Sequence, residues 1–257
     1  MIDWDPGQYA RFEAQRERPA LDLLAHAFAD FTATDAWDLG CGPGNWTALI
    51  AKRYPRAVVR GLDASEAMLA EARPKSAKVE WIEGDIADWT PQTPPDFVFS
   101  NAALHLIPNH AALFPRIVGR VAEGGVFACQ MPVTDRASGW RAALAEAVAD
   151  GPWAEALSAV APSETHSPES YWDWLNPLCE EVDIWTTTYL HALEGDDPIV
   201  EWVKGSSIRP YLQRLDDPAQ RDAFLNAVRA SFSGLHPRRS DGITLFPFQR
   251  LFILARR

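Results

Sequence analysis

Along the first 30 residues apolar side chains recur at helical spacing, with Leu21, Leu23, Leu24 and Phe28 on one face, which predicts a helical lead-in. Arg16-Glu17-Arg18-Pro19 is expected to interrupt it as two segments, because proline lacks the N–H that a helix interior needs. From residue 36 the period changes. Short apolar runs at Ala36–Leu39, Ala57–Leu62, Val79–Glu83, Phe97–Ser100 and Val126–Met131 read as strands. Between them Trp46–Arg53, Ser65–Ala72 and Asn109–Val121 read as helices, the second opening on Ser65 as N-cap. Five strands alternating with helices predict an α/β chain with a doubly wound, parallel sheet.

Beyond residue 131 the alternation loosens. Trp140–Ala149 reads as a helix, Gly151–Pro177 shows no assignable period, and Glu181–Leu190 is rich in residues that favour extended backbone. Pro198–Gly234 reads as largely helical, and Thr244–Ala255 as a final apolar strand carrying Pro247. The helical insert, at about 197–235, is expected to lie over the C-terminal edge of the sheet as a lid. The chain is thus expected to form a single domain over 1–257, with a lead-in (1–30), a cofactor-binding core (31–132) and a substrate side (133–257).

Composition narrows the class of ligand. A net charge of -11 argues against a nucleic-acid backbone as partner, since that affinity comes from clustered Lys and Arg, and a small molecule is the better expectation. Cys41, Cys129 and Cys179 have no paired spacing, and six histidines show no HxxxH pair, so neither a disulfide framework nor a metal site is expected. The acidic start Met1-Ile2-Asp3-Trp4-Asp5 and the lack of a long apolar run predict a cytoplasmic protein with no membrane partner. Nothing in the sequence specifies an oligomeric state. The 11 tryptophans are expected to pack core and lid.

The densest chemical signal is Asp38-Leu39-Gly40-Cys41-Gly42-Pro43-Gly44-Asn45, between a strand and a helix. Glycines at 40, 42 and 44 allow a sharp turn and close approach of a ligand to the backbone. Asn45 stands where a dinucleotide GxGxxG motif would have its third glycine, which weakens a nicotinamide reading. An S-adenosylmethionine site has no pyrophosphate to seat there, and Asp38 suits the cofactor's ammonium group. Asp63, followed by Ala64, closes the next strand about 20 residues on, where such folds place a ribose acceptor. Asp85 and Ile86 would flank the adenine, and Asn101 and His105 lie at the end of the fourth strand, where ligands of open sheets collect. No GxSxG nucleophile elbow is present.

These residues resemble the class I S-adenosylmethionine-dependent methyltransferase family. Further stretches resemble its members that esterify trans-aconitate: Asp3-Trp4-Asp5-Pro6 with Tyr9 and Phe12, Arg16 to Ala20, Gln130-Met131-Pro132, Glu181 to Trp185, Thr187-Thr188-Tyr189, Arg209-Pro210, Leu251-Phe252-Ile253 and Ala255-Arg256-Arg257. The resemblance implies a Rossmann-like seven-stranded sheet whose last strand is antiparallel, methyl transfer to a tricarboxylate, and S-adenosylhomocysteine as product. Trp46 departs from it, standing where a small hydroxyl residue is expected. A carboxylate, with an ordinary pKa of about 4, is already ionised at neutral pH, so positioning rather than a catalytic base is expected to carry the reaction. Arg18, Arg209 and Arg250, with Tyr189 and His191, are the candidate substrate ligands, because guanidinium pairs carboxylate bidentately. Competing readings are another small acid, amine or hydroxyl substrate, a cofactor-binding sensor without turnover, and an NAD oxidoreductase.

Overall fold

Burial along the strands tells where each one lies. In the computed structural model, which describes residues 13–27, 31–134, 139–160 and 163–257, all seven residues of Val126–Pro132 are buried, whereas Val79–Glu83 buries only its first. A parallel strand covered on both faces reads as an unbroken apolar run, and an edge strand does not.

The elements in chain order are α1 (Glu13–Ala27), β1 (Asp35–Leu39), α2 (Asn45–Arg53), β2 (Val58–Asp63), α3 (Glu66–Ala72), β3 (Val79–Glu83), β4 (Phe97–Asn101), α4 (His110–Val118) and β5 (Val126–Pro132). There follow α5 (Gly139–Ala149), α6 (Ala154–Leu157), α7 (Pro168–Leu175), β6 (Glu181–Leu193), α8 (Pro198–Lys204), α9 (Arg209–Leu212), α10 (Pro218–Leu235) and β7 (Thr244–Arg256). Seven strands form one sheet in the order β3-β2-β1-β4-β5-β7-β6. Pairs β3–β2, β2–β1, β1–β4 and β4–β5 are parallel, and β7 lies antiparallel to β5. Strand order reverses at β1 and β4, so the ends of those strands face a topological switch point.

The chain divides into two compact units. The first comprises 14–133, 164–187 and 249–257, and its core joins Leu39, Val98, Phe114, Ile117, Phe127, Met131, Tyr171 and Ile253. The second draws on 134–163 and 188–248, with its own core around Trp140, Trp153, Trp202, Phe224, Phe232 and Phe246. The segment without an assignable period contributes to both, α6 to the second unit and α7 to the first. The late helical stretch resolves into α8, α9 and α10, separated by short turns.

Two expectations are corrected in the lead-in. Helix α1 runs without interruption through Pro19, because Ala20, Leu23, Leu24 and Ala27 bury one face and offset the roughly 3 kcal/mol cost of an interior proline. Leu21 is 45 % exposed and off that face. Phe28 and the lead-in before Glu13 lie outside the described residues. Helix α4 ends three residues early. Beyond Val118 its hydrogen bonds tighten to the i→i−3 pattern, Arg120 N–H to Ile117 and Val121 N–H to Val118. Ser65 caps α3 as expected, accepting from Met68 N–H. No helix among the described residues is long and apolar enough to cross a membrane.

Candidate active site

Asp38 is an acid inside an apolar strand. It lies one residue from the end of β1, between Gly61 of β2 and Phe99 of β4, and is 1 % exposed. Its Oδ2 accepts from the Thr47 hydroxyl of α2 at 2.5 Å. Its Oδ1, equally buried, has no hydrogen-bond partner among the described residues. Burial pushes its pKa up to about 7; the Thr47 hydrogen bond opposes the rise and the nearby Asp63 charge adds to it. A buried carboxylate oxygen left open at a strand end is suited to a cation from a ligand, since burying a charge without a partner is costly.

The glycines of the following turn do different things. Gly40 and Cys41 N–H both donate to the Leu62 carbonyl, at 2.8 and 3.0 Å, strapping the turn to the end of β2. A Cβ on Gly40, whose φ is +76°, would stand 2.2 Å from the Ala103 Cβ, so this glycine is required by the chain's own packing. Around Gly42, with φ +53°, nothing lies within 4 Å of that position. Gly42 is therefore where the turn faces open space, while its N–H donates to Asp63 Oδ2 at 2.8 Å.

Asp63 closes β2 and braces the turn. Oδ1 accepts from Ser65 N–H at 2.9 Å, and Ala64 N–H also supports the carboxylate. Burial raises its pKa against these donors. At the end of β3 the exposed Asp85 accepts from Ala87 N–H at 2.8 Å, and Ile86 is buried with Cδ1 3.4 Å from the Cβ position of Gly40. Arg116 of α4 holds this segment through the carbonyls of Ile86 and Trp89, at 3.0 and 3.2 Å. The ends of β1, β2, β3 and β4 thus bring Asp38, Gly40, Gly42, Asp63 and Ile86 together.

A row of polar side chains continues across β4, β5 and β7. Asn101 is the register partner of Gln130, and Arg250 that of Pro132, two residues further along β5 on the same face. Gln130 Nε2 donates to Asn101 Oδ1 at 2.6 Å, and Arg250 Nη1 donates to Gln130 Oε1 at 3.2 Å. Gln130 is 1 % and Arg250 6 % exposed. Ala102 then adopts φ +55°, rare for a residue with a Cβ, while its N–H donates to the Gln130 carbonyl. The turn it begins, Leu104–Leu106, carries the half-buried His105 and is held by His110. His110 Nε2 donates to the Leu104 carbonyl at 3.0 Å, which leaves Nδ1 to accept from the Tyr171 hydroxyl at 2.6 Å. Burial keeps this imidazole below its ordinary pKa.

The other expected site residues have varied surroundings. The Asn45 side chain accepts from Lys75, and the Cys41 thiol is buried beside Gly61, its pKa raised by desolvation. Arg18 has a side chain 74 % exposed, 3.9 Å from Asp22 one helical turn on. Tyr189 and His191 belong to the second unit and are buried, His191 stacked on Trp202 with ring centroids 4.6 Å apart. Arg209 opens α9 in the same unit, with its Nε buried and without a hydrogen-bond partner among the described residues. Thr47, Ala103 and Gln130 adjoin these candidate residues, and sequence reasoning gave none of them a role. The hydroxyl expected at position 46 is supplied at 47, where the first turn of α2 points back at Asp38. No cluster of three or more metal-ligating side chains occurs among the described residues.

Residues 36–125 match the methyltransferase domain family. Trans-aconitate 2-methyltransferases are similar over the whole chain: that of Methylobacterium radiotolerans is 43 % identical, covering 100 % of this chain and 99 % of the relative, and that of Methylobacterium nodulans is 44 % identical with the same coverage. Among solved structures, a methyltransferase from Bacillus halodurans superposes with a TM-score of 0.59 at 14 % identity, covering 93 % of this chain and 98 % of that one. A Haemonchus contortus phosphoethanolamine N-methyltransferase bound to S-adenosylhomocysteine gives 0.56 at 15 % identity, covering 93 % and 52 %. At such identities the likeness is one of fold.

Proposed function

The chain belongs to the trans-aconitate 2-methyltransferase family of class I methyltransferases, and from that premise we propose that it transfers a methyl group from S-adenosylmethionine to a carboxylate of trans-aconitate, giving a methyl ester. When bound, S-adenosylmethionine supplies an electrophilic methyl on a sulfonium centre, and S-adenosylhomocysteine is left. The residues fit this cofactor on one observation above all: the open, buried Oδ1 of Asp38 beside a glycine turn.

In this reading Asp38, pre-oriented by Thr47, holds the ammonium group, Gly40 to Gly44 shape the turn, and Asp63 accepts from ribose hydroxyls with lone pairs its backbone donors leave over. Ile86 covers the adenine and Asp85 accepts from its amine. Asn101 and His105 border the reacting end. The buried guanidinium of Arg250, oriented by Gln130, pairs a carboxylate of the substrate. No side chain need remove a proton, because the attacking carboxylate is ionised at pH 7, so orientation and exclusion of water carry the rate. Residues 31–132 serve as the cofactor core and 133–257 as the substrate side.

Incubation with S-adenosylmethionine and trans-aconitate, followed by mass spectrometry, should reveal the monomethyl ester. Absence of ester at high enzyme concentration, with turnover on another acid or an amine, would reassign the substrate. Cofactor binding without turnover on any acid or amine would make the protein a sensor.

A further inference from the structure

Three residues stand in one row across the sheet of the first unit: Asp38 of β1 pairs with Gly61 of β2, and Gly61 with Trp81 of β3. Residues in register on neighbouring strands share a face, so the Asp38 carboxylate and the Trp81 indole project from the same side of the sheet. Gly61 leaves the place between them without a side chain.

The indole uses that place. A Cβ on Gly61 would stand 2.8 Å from the ring carbons Cε3 and Cζ3, and a Cβ on Gly44, whose φ is +80°, would stand 2.5 Å from Cη2 and 2.9 Å from Cζ3. The ring therefore lies against the Gly61 backbone and ends at Gly44, the residue that caps α2. The Ala72 Cβ of α3 closes the same space, 2.7 Å from the Gly44 Cβ position. Trp81 Nε1 donates to the Ser76 carbonyl at 3.3 Å, which ties down the ring.

The placement of Gly44 decides where α2 begins. Its N–H donates to the Cys41 carbonyl and its carbonyl accepts from Ala48 N–H, both at 3.0 Å, the second being the first bond of the helix. Three residues on, the Thr47 hydroxyl donates to Asp38 Oδ2 at 2.5 Å. Thr47 is fully buried and Asp38 nearly so. A shift at the start of a helix carries its first turn with it, and a short bond between two buried groups tolerates little of such a shift.

We propose that Trp81 is a positioning residue for cofactor binding: it seats Gly44, and through Gly44 and α2 it holds the Thr47 hydroxyl on Asp38. The role rests on reading Asp38 as the ligand of the cofactor's ammonium group. It gives a side chain two strands away from Asp38 a part in the site, and it explains why Gly44 and Gly61 both lack a Cβ.

The test measures S-adenosylhomocysteine affinity by calorimetry across pH in wild type, Trp81→Leu and Trp81→Phe, each with and without Thr47→Val. Every protein meets the same ligand, so differences in pH dependence belong to the chain. The titratable groups whose charges act on Asp38 or feel it, Asp63 and Cys41, stay in place throughout. Trp81→Leu should weaken binding about 10-fold at pH 7 and carry the pH at which affinity levels off upward by about one pH unit, as Thr47→Val does. Trp81→Phe, whose ring covers Gly61 and falls short of Gly44, should lie between, and it carries the comparison if Trp81→Leu does not fold. In the Thr47→Val background either Trp81 change should cost less than about 2-fold more, because the bond it acts through is already gone. Equal losses in both backgrounds, which direct contact of the ring with the cofactor or general loosening would give, overturn the proposal, and so does binding like wild type. If S-adenosylhomocysteine does not bind, or Asp38→Asn binds it like wild type, the reading of Asp38 fails on its own. The role of Trp81 is then judged without cofactor, by following the carbon-13 resonance of the Asp38 carboxyl through its titration. An upward move shared by Trp81→Leu or Trp81→Phe and Thr47→Val sustains it, and a midpoint unmoved by the Trp81 changes overturns it.

Discussion

Neutralising Asp38 should change cofactor affinity in a way that only a titrating carboxylate can. In the folded chain its pKa stands at about 7, against an ordinary value of 3.8, chiefly because burial disfavours the charged form. A cationic ammonium binds the ionised form, so affinity should be constant above pH 7 and fall about tenfold for each unit below it, reaching about 100-fold at pH 5, or about 2.7 kcal/mol. The window from pH 5 to 7.5 keeps the cofactor's amino group protonated, its ordinary pKa being about 7.7 to 8. Stability without cofactor runs the other way. The native state binds the extra proton, so stability is greatest below the unfolded pKa near 3.8 and declines as pH rises to about 7, by at most about 4 kcal/mol. Calorimetric titration with S-adenosylhomocysteine in buffers of differing ionisation enthalpy would count close to one proton released at pH 5.5. Asp38→Asn should abolish both the affinity and its slope while raising cofactor-free stability at pH 8, and Thr47→Val should move the midpoint upward by removing the hydrogen bond that opposes the shift. A flat affinity profile across this window, or Asp38→Asn binding like wild type, would refute the assignment of Asp38 to the ammonium group.

Other substitutions test the surrounding frame. Gly40→Ala should lower the melting temperature by several degrees, since its Cβ meets Ala103 at 2.2 Å, whereas Gly42→Ala should cost only the roughly 1 kcal/mol of a left-handed backbone yet weaken cofactor binding at least tenfold. Gln130→Leu should raise KM for the acid substrate about tenfold with little effect on cofactor KM, because it removes the hydrogen bond through which Gln130 orients Arg250; equal effects on both constants would mean general damage. Tyr171→Phe should destabilise the fold by about 1–3 kcal/mol in urea titrations by stripping the His110 Nδ1 of its donor. His110 itself, neutral when folded, contributes stability that is present above the unfolded value of 6.5 and lost as pH falls below it, and His110→Phe should remove that part of the acid sensitivity.

Most of the sheet was legible because its signals are local. A central parallel strand is a short apolar run whatever lies far away in sequence, and Asp38 stood out as an acid ending such a run just before three glycines. The same locality hides what distant packing adds. Pro19 reads as a break until the buried face from Ala20 to Ala27 is known to outweigh it. Asn45 reads as part of the glycine motif, and in the fold it is also the first residue of α2, with its side chain reaching Lys75. Tyr189 and His191, two residues apart on one strand, read as polar groups in sequence, and in the fold their rings are also stacked, His191 on Trp202.

What no local reading could supply is register. Gln130 and Arg250 are 120 positions apart, and only the antiparallel pairing of β5 with β7 sets them on one face beside Asn101. Thr47 is a smaller instance of the same limit: whether residue 46 or 47 meets Asp38 depends on the rotation of α2 about its axis, which the glycine turn sets at its first residue. The proposed cofactor half of the site is therefore read mainly from segments contiguous in sequence. The proposed substrate half depends on pairings between distant segments, and its specificity is best sought in residues such as Gln130, whose neighbour Arg250 the chain brings from afar.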